Sequence, residues 1–377
     1  MLSFWEKRSF INYDYIVVGG GIVGLSTAAS IKEKRPQAKV LILERGIFPT
    51  GASTKNAGFA CFGSLTELLA DLKVMGADET LKIVEERWRG LLALRKRLGD
   101  DKIDFLNYGG YELLRTSEVD CLNEIDRVNE LLRPIFKKNV FEEKHGLIDE
   151  FGFDKKSVKR LIFNQFEGQI DTGKMMKSLT DYVKERGVEI LTGAAVVDIL
   201  EENNQVIVQV ENGGHQHINF ACKKMAVCTN AFTQKLFPEL GMKPGRGVVL
   251  VTKPIEDLKF QGVFHYDEGY FYFRNFEDRV IFGGGRNLDF ETETTTEFEV
   301  NEKIKGALEQ QLKEIVLPNQ KVEIEDWWAG IMAFGDDKRP ILEAYSDKII
   351  LGVRLGGMGV AIGSRLGEAI SEMILAK

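Results

Sequence analysis

A chain of 377 residues with 44% hydrophobic content has room for two globular domains with sizeable cores. Its net charge is −7, and Lys and Arg are scattered in short runs such as Arg95-Lys96-Arg97, which argues against nucleic acid as a partner. No apolar run reaches the length of a transmembrane segment, which leaves only peripheral membrane attachment open.

Residues 1–12 read as a leader, with Phe4, Trp5 and Phe10 expected to pack down. Then Tyr15-Ile-Val-Val runs straight into Gly19-Gly20-Gly21-Ile22-Val23-Gly24, and Ile22 to Lys32 reads as a helix. The glycines fit G-x-G-x-x-G at Gly19, Gly21 and Gly24. The first permits a tight turn, the second lets a pyrophosphate approach the backbone, and the third lets the helix lie on the strand. The helix N-terminus then offers free N–H groups to the phosphates. A second apolar strand, Lys39 to Leu43, ends at Glu44, twenty positions after Gly24. An acid there meets ribose hydroxyls and disfavours a 2′-phosphate, so FAD or NAD is expected over NADP.

Helices are predicted over Ser64–Met75 and Asp78–Leu98, the latter capped by Asp78 and stopped by Gly99. Leu81, Val84, Trp88, Leu91 and Leu98 form its core-facing stripe. Tyr108 to Leu114 reads as a strand, and a helix over Ser117–Leu132 is expected to close at Arg133-Pro134. Asp171 caps a helix to Arg186, strand Val188–Leu191 follows, and a hairpin turns around Asn212-Gly213-Gly214. From Pro244 the pattern becomes all-β, with strands at Gly247–Val251, Val263–Tyr266, Gly269–Arg274 and Arg279–Gly284. Alternation puts one set of its aromatics (Phe264, Tyr266, Tyr270, Phe271, Tyr272, Phe273) into a core and the other over a ligand. Strand Ile349–Leu351 enters a second glycine turn, Gly356-Gly357-Met358-Gly359-Val360, before a last helix over Ser364–Leu375.

The four cysteines (Cys61, Cys121, Cys222, Cys228) make no CxxC and no zinc spacing. With no secretory leader read at the start, reduced thiols in a cytoplasmic protein are expected, with Cys61 a buried inert thiol. His215 and His217 lack a third ligand nearby and read as solvated turn residues, so no metal site is expected.

Gly51-Ala52-Ser53-Thr54-Lys55-Asn56-Ala57-Gly58-Phe59, downstream of GGGIVG and Glu44-Arg45, resembles the FAD-dependent D-amino-acid oxidase superfamily, which includes glycine, sarcosine and γ-glutamylputrescine oxidases. Glu167-Gly-Gln-Ile-Asp171-Thr-Gly-Lys174, the strand Lys224–Ala231, and Gly356–Val360 are similar to further motifs of that family, in the same order. The resemblance implies a discontinuous Rossmann-type FAD-binding domain (13–65, 146–235, 326–377). It implies a second α+β substrate domain with an antiparallel sheet (66–145, 236–325), so the fold class is α/β with two domains. It places Gly19, Gly21, Ile22, Val23, Gly24, Glu44, Arg45, Val196, Thr229 and Asn230 around the dinucleotide. It places Ala52, Ser53, Asn56, Ala57, Gly58, Phe59, Gly330, Gly356, Gly357, Met358, Gly359 and Val360 along the pyrophosphate and flavin.

The implied chemistry is hydride transfer to the flavin from a C–H beside nitrogen in an amino acid or amine, the imine then hydrolysing in water. An apolar pocket favours the neutral amine that reacts. Oxygen or an electron-transfer protein is the acceptor, and a homo-oligomer is compatible with the sequence. Glycine oxidase carries its carboxylate-binding arginine two residues after the position of Gly330; this chain has Met332 there. Three readings follow: an amine without a carboxylate, as in γ-glutamylputrescine oxidase; a carboxylate held by Arg274, beside Tyr272; or a 2-hydroxy acid. Arg246, Arg286 and Arg339 are weaker candidates. The segment at Gly330 has no cysteine to bond the flavin, so non-covalent FAD is expected. The oxygen-activating lysine of sarcosine oxidases aligns loosely with Phe282. A subunit that passes electrons to a partner, and an NAD-binding protein without flavin, are the competing classes.

Overall fold

The computed structural model describes residues 2–212, 216–318 and 320–376. Two eight-stranded sheets organise it. In the first, Glu189–Leu191, Val40–Leu43, Asn12–Val18, Gln216–Val227 and Ile349–Val353 run parallel in that spatial order. Val40–Leu43 and Ile349–Val353 are unbroken apolar runs and wholly buried, because helices cover them. The hairpin Val196–Glu201 and Val206–Asn212 extends from Gln216–Val227. The expected hairpin turn between Val206–Asn212 and Gln216–Val227, residues 213–215, lies outside the described residues, and His217 is exposed.

Two helices lie together on this sheet, Ile22–Lys34 and the C-terminal Gly359–Leu375. Glycines bring them close: a Cβ on Gly363 would stand 2.8 Å from Ile22, and one on Gly367 would stand 2.7 Å from the Thr27 amide. Ala77–Leu98 packs across the same C-terminal helix, where a Cβ on Gly90 would stand 2.0 Å from the Ala361 carbonyl oxygen.

The second sheet orders Ile324–Phe334, Lys243–Thr252, Arg279–Gly284, Phe271–Phe276, Val263–Tyr266, Gly110–Leu114, Arg160–Asn164 and Phe141–Glu143. Its pairs are antiparallel except Val263–Tyr266 with Gly110–Leu114. The alternation acts as expected. Phe264, Tyr266, Phe271, Phe273 and Phe282 fill one core, while His265, Tyr270 and Tyr272 line a cavity on the other side. No helix among the described residues is long and apolar enough to cross a membrane.

Four expectations are corrected. Arg160–Asn164 and Ile324–Phe334, placed with the FAD-binding domain, pair into the second sheet. The helix expected to close before Pro134 continues to Phe136; proline falls in its last turn, where only one ladder bond is lost. Ala77–Leu98 is capped at Gly76, and Asp78 lies in the first turn. Phe4, Trp5 and Phe10 stay 65%, 69% and 59% exposed, because the short helix Phe4–Ser9 is held by a Ser3–Glu6 capping box and not by burying its rings.

Candidate active site

The first glycine turn has three separate tasks. Gly19 has φ +106°, and a Cβ there would stand 2.7 Å from the Cys228 carbonyl oxygen. A Cβ on Gly24 would stand 1.9 Å from the Gly19 carbonyl oxygen, so this glycine lets helix meet strand. At Gly21 a Cβ would meet only the Ser53 hydroxyl, at 3.0 Å, and would otherwise project into a cavity. Ser53 Oγ accepts from the Ile22 amide at 2.9 Å, and the first rung of the helix is Leu25 N–H to Gly21 C=O. The amides of Val23 and Gly24 therefore have no place in the helical ladder, which is the donor set an anion needs.

That cavity encloses about 950 Å³, near the top of the range of roughly 300–1,000 Å³ for ligand pockets. Glu44, Arg45 and Val196 line one end of it. Glu44 is only 7% exposed, and its Oε2 and Oε1 accept from the amides of Gly20 (2.8 Å) and Gly46 (2.9 Å). Those bonds aim the carboxylate at the end of its strand. Ala52, Ser53, Asn56, Ala57 and Phe59 line the next stretch, with Thr229 and Asn230 opposite. Asn56 clamps the loop: its Nδ2 donates to the Ala52 and Ser53 carbonyls, and its Oδ1 accepts from Gly58 N–H and Thr172 Oγ1.

Gly356, Gly357, Met358, Gly359 and Val360 line the far side. Gly356 and Gly357 have φ +56° and +86°, a turn that favours glycine. The first rung of the C-terminal helix is Ile362 N–H to Met358 C=O, so the amides from Gly359 to Ala361 stand ahead of the ladder. A second positive helix end thus points into the same cavity.

Gly330, Met332, Tyr272, Tyr270, His265, Phe334 and Arg286 close the remaining end. Met332 sits between two glycines; its Cε is 2.9 Å from where Gly247 would carry a Cβ, and its Sδ 3.5 Å from that point on Gly357. Burial pushes the Tyr272 phenol up to about 12, so it stays protonated. The Phe59 ring meets His265 and Tyr272 edge-on at 5.2 and 5.5 Å.

The candidate arginines separate cleanly. Arg274 does not line the cavity. It lies on the same strand face as Tyr272 but two residues on, where its Nε donates to the Ala57 carbonyl, and burial brings its pKa down to about 10. Its expected contact with a carboxylate is therefore corrected. Arg246 is buried in a two-pronged pair with Glu293 at 2.7 and 3.0 Å. Arg339 is exposed and paired with Asp337. Arg286 faces the cavity, stacked 4.1 Å from the Phe334 ring, and its buried Nε has no hydrogen-bond partner among the described residues. Phe282 points into the second core, away from the cavity, so the loosely aligned lysine position is not at this site.

Behind this end lies a buried polar cluster that sequence spacing did not reveal. The ligand atoms of Cys61, Glu167 and His265 lie within 4.8 Å of one another. Burial alone would depress the His265 imidazole, but Cys61 and Glu167 outweigh it and raise its pKa well above the usual value. Lys338 bridges Glu67 (3.1 Å) and Asp71 (2.7 Å), all three lining the cavity.

A family model described as FAD dependent oxidoreductase, DAO, matches residues 14–373. The chain belongs to the DAO family. L-proline dehydrogenase from P. horikoshii superposes on this DAO-family chain with a TM-score of 0.78 at 18% identity, covering 97% of it and 94% of that chain. Glycine oxidase from Geobacillus kaustophilus gives 0.78 at 19%, covering 97% and 95%. An Escherichia coli L-2-hydroxyglutarate dehydrogenase is 23% identical over 238 residues, 62% of this chain, and this chain spans about half that protein's length (51%).

The residues present fit FAD. Two helix ends, an acid at the end of the second strand and a cradle that a Gly21 Cβ would enter all open on one cavity of about 950 Å³. Of the expected cofactor residues, Gly24 and Gly58 lie outside its lining. Gly58 instead lets the loop meet Arg274, whose Nη2 is 2.8 Å from where a Cβ would stand. His265 and Lys338 were missed as lining residues. His265 could have been found from its strand, since it stands directly across from Tyr272 in the register.

Proposed function

We propose that this DAO-family oxidoreductase oxidises the C–N bond of a small amino acid, with FAD held non-covalently on the first-sheet half and the substrate against the second sheet. The observation that carries the reading is Arg286: a guanidinium at the reacting end of the cavity with an unpartnered buried Nε. A planar fork of donors in that position suits a carboxylate. FAD, when bound, accepts the two electrons and the hydrogen that the substrate carbon loses.

The chain's own residues bind and orient. Arg286 fixes the carboxylate, so the α-carbon is presented in one orientation. Tyr270, Tyr272, Met332 and Phe334 supply an aromatic and apolar wall. Such a wall disfavours the ammonium form and excludes water from the reacting carbon. Met332, where glycine oxidase has arginine, then serves as packing over the ring end, and the carboxylate lies two strands across the sheet, past the end of Arg279–Gly284.

Anaerobic bleaching of the flavin tests this directly. Glycine, sarcosine, D-alanine, D-proline, putrescine derivatives and 2-hydroxyglutarate form the panel. Bleaching by one of the amino acids supports the reading. Bleaching by putrescine derivatives alone removes the role of Arg286. Bleaching by 2-hydroxyglutarate alone supports a second reading, oxidation of a 2-hydroxy acid, which the similarity to L-2-hydroxyglutarate dehydrogenase and the cavity-facing His265 favour. Yellow protein that nothing bleaches points to a partner-dependent subunit.

A further inference from the structure

Cys61, Glu167 and His265 come from three distant parts of the chain: the residue just after strand Phe59–Ala60, the position before Gly168, and the strand Val263–Tyr266. All three are buried. Their ligand atoms converge without bonding one another well. His265 Nε2 stands 3.7 Å from Glu167 Oε2, too long for a hydrogen bond, and it has no partner among the described residues. Glu167 is already aimed: its Oε1 accepts from the amides of Phe62 and Gly63 at 3.2 and 3.4 Å, which turns Oε2 toward the histidine.

A gap of this size is wrong for direct contact and right for a shared ion. Two ligand atoms each roughly 2.1 Å from one zinc, at a tetrahedral angle, stand roughly 3.4 Å apart. The backbone amides on Oε1 are the kind of outer contact that holds a ligand's orientation. Cys61 and His265 both line the large cavity while Glu167 stands behind them, so an ion would have three protein ligands and one open side.

We infer that Cys61 Sγ, His265 Nε2 and Glu167 Oε2 form a site for one thiophilic divalent ion of the zinc class, with its fourth position open to the flavin cavity and taken by water. Thiolate and carboxylate together neutralise the ion's charge, so the filled site is a neutral buried cluster. Binding displaces the thiol proton and any proton on the imidazole into solvent. The site stands on these three side chains alone and is independent of which substrate the cavity takes.

Cobalt(II) is the probe. Flavin-loaded protein is freed of metal with a chelator and titrated with Co(II), reading difference spectra on both sides of the flavin bands. The expected result is one equivalent bound, a d–d band in the red beyond flavin absorption, and a thiolate charge-transfer band in the near ultraviolet. Cys61→Ser should lose the charge-transfer band, and His265→Gln and Glu167→Gln should each weaken binding about tenfold or more.

Wild-type protein that gives no red band overturns the inference. So does a red band without thiolate charge transfer, since an ion elsewhere leaves Cys61 untouched. A water bridging His265 and Glu167 gives neither band. The flavin absorbance of the same sample reports the cofactor separately, so loss of one does not pass for loss of the other. If the variants fold poorly, the wild-type titration still decides.

Discussion

Arg274 donates its Nε to the carbonyl of Ala57, and so the buried cation nearest Tyr272 along its strand is tied to the loop of residues 51–59. Arg274→Met keeps most of the volume and removes that tie. The loss of one buried hydrogen bond from a charged donor is worth about 1.5–3 kcal/mol. It should appear as weaker flavin retention on dilution and a lower Tm, with the substrate KM of flavin-saturated protein within about twofold of wild type. A large KM increase at full flavin occupancy would return Arg274 to the substrate.

Arg286→Ala should lower kcat/KM for a carboxylated substrate by one to two orders of magnitude, about 1.5–3 kcal/mol, the value of a hydrogen bond to a charged group. The change should fall mainly on KM. Arg286→Lys should recover only part, because an ammonium cannot reproduce the fork. Steady-state kinetics on all three proteins checks this, and unchanged KM in the alanine variant would leave the carboxylate without its proposed partner.

The two glycines of the turn should fail differently. Gly21→Val places a branched side chain in the phosphate cradle, and its Cβ meets only a rotatable hydroxyl. The variant should fold and purify colourless, with native circular dichroism. Gly24→Ala drives a Cβ within 1.9 Å of a backbone oxygen, so it should lose stability whether or not flavin is present. Stoichiometric flavin in the Gly21→Val protein would move the phosphates elsewhere.

Acid denaturation should leave the flavin in the supernatant. Two cysteines, Cys61 and Cys228, do line the cavity. Burial raises both thiols, Cys228 to about 12, so neither is a ready nucleophile toward the ring. Yellow colour retained on the washed precipitate would contradict non-covalent binding.

What the sequence shows well here is local. The glycine turns, the second strand with its acid and the bounds of Val263–Tyr266 and Arg279–Gly284 are legible because turn chemistry and period-two burial are written into neighbouring residues. The role of Arg274 was not. Alternation tells which face of a strand a side chain takes, and Arg274 does share the face of Tyr272; it does not tell how far along that face the cavity extends. Sheet membership of Arg160–Asn164 and Ile324–Phe334 was hidden for a similar reason, since an amphipathic strand does not name its partner. The cluster of Cys61, Glu167 and His265 has no local spacing, being assembled by tertiary contacts alone.

Gly363 and Gly367 hold the C-terminal helix against Ile22–Lys34, and both helices begin at the wall of one cavity. Because the contact is backbone-close, neither helix end can drift without the other. The pair fixes the separation between the two positive helix ends that open on the cavity. That spacing is therefore set by two glycines that do not line the cavity at all.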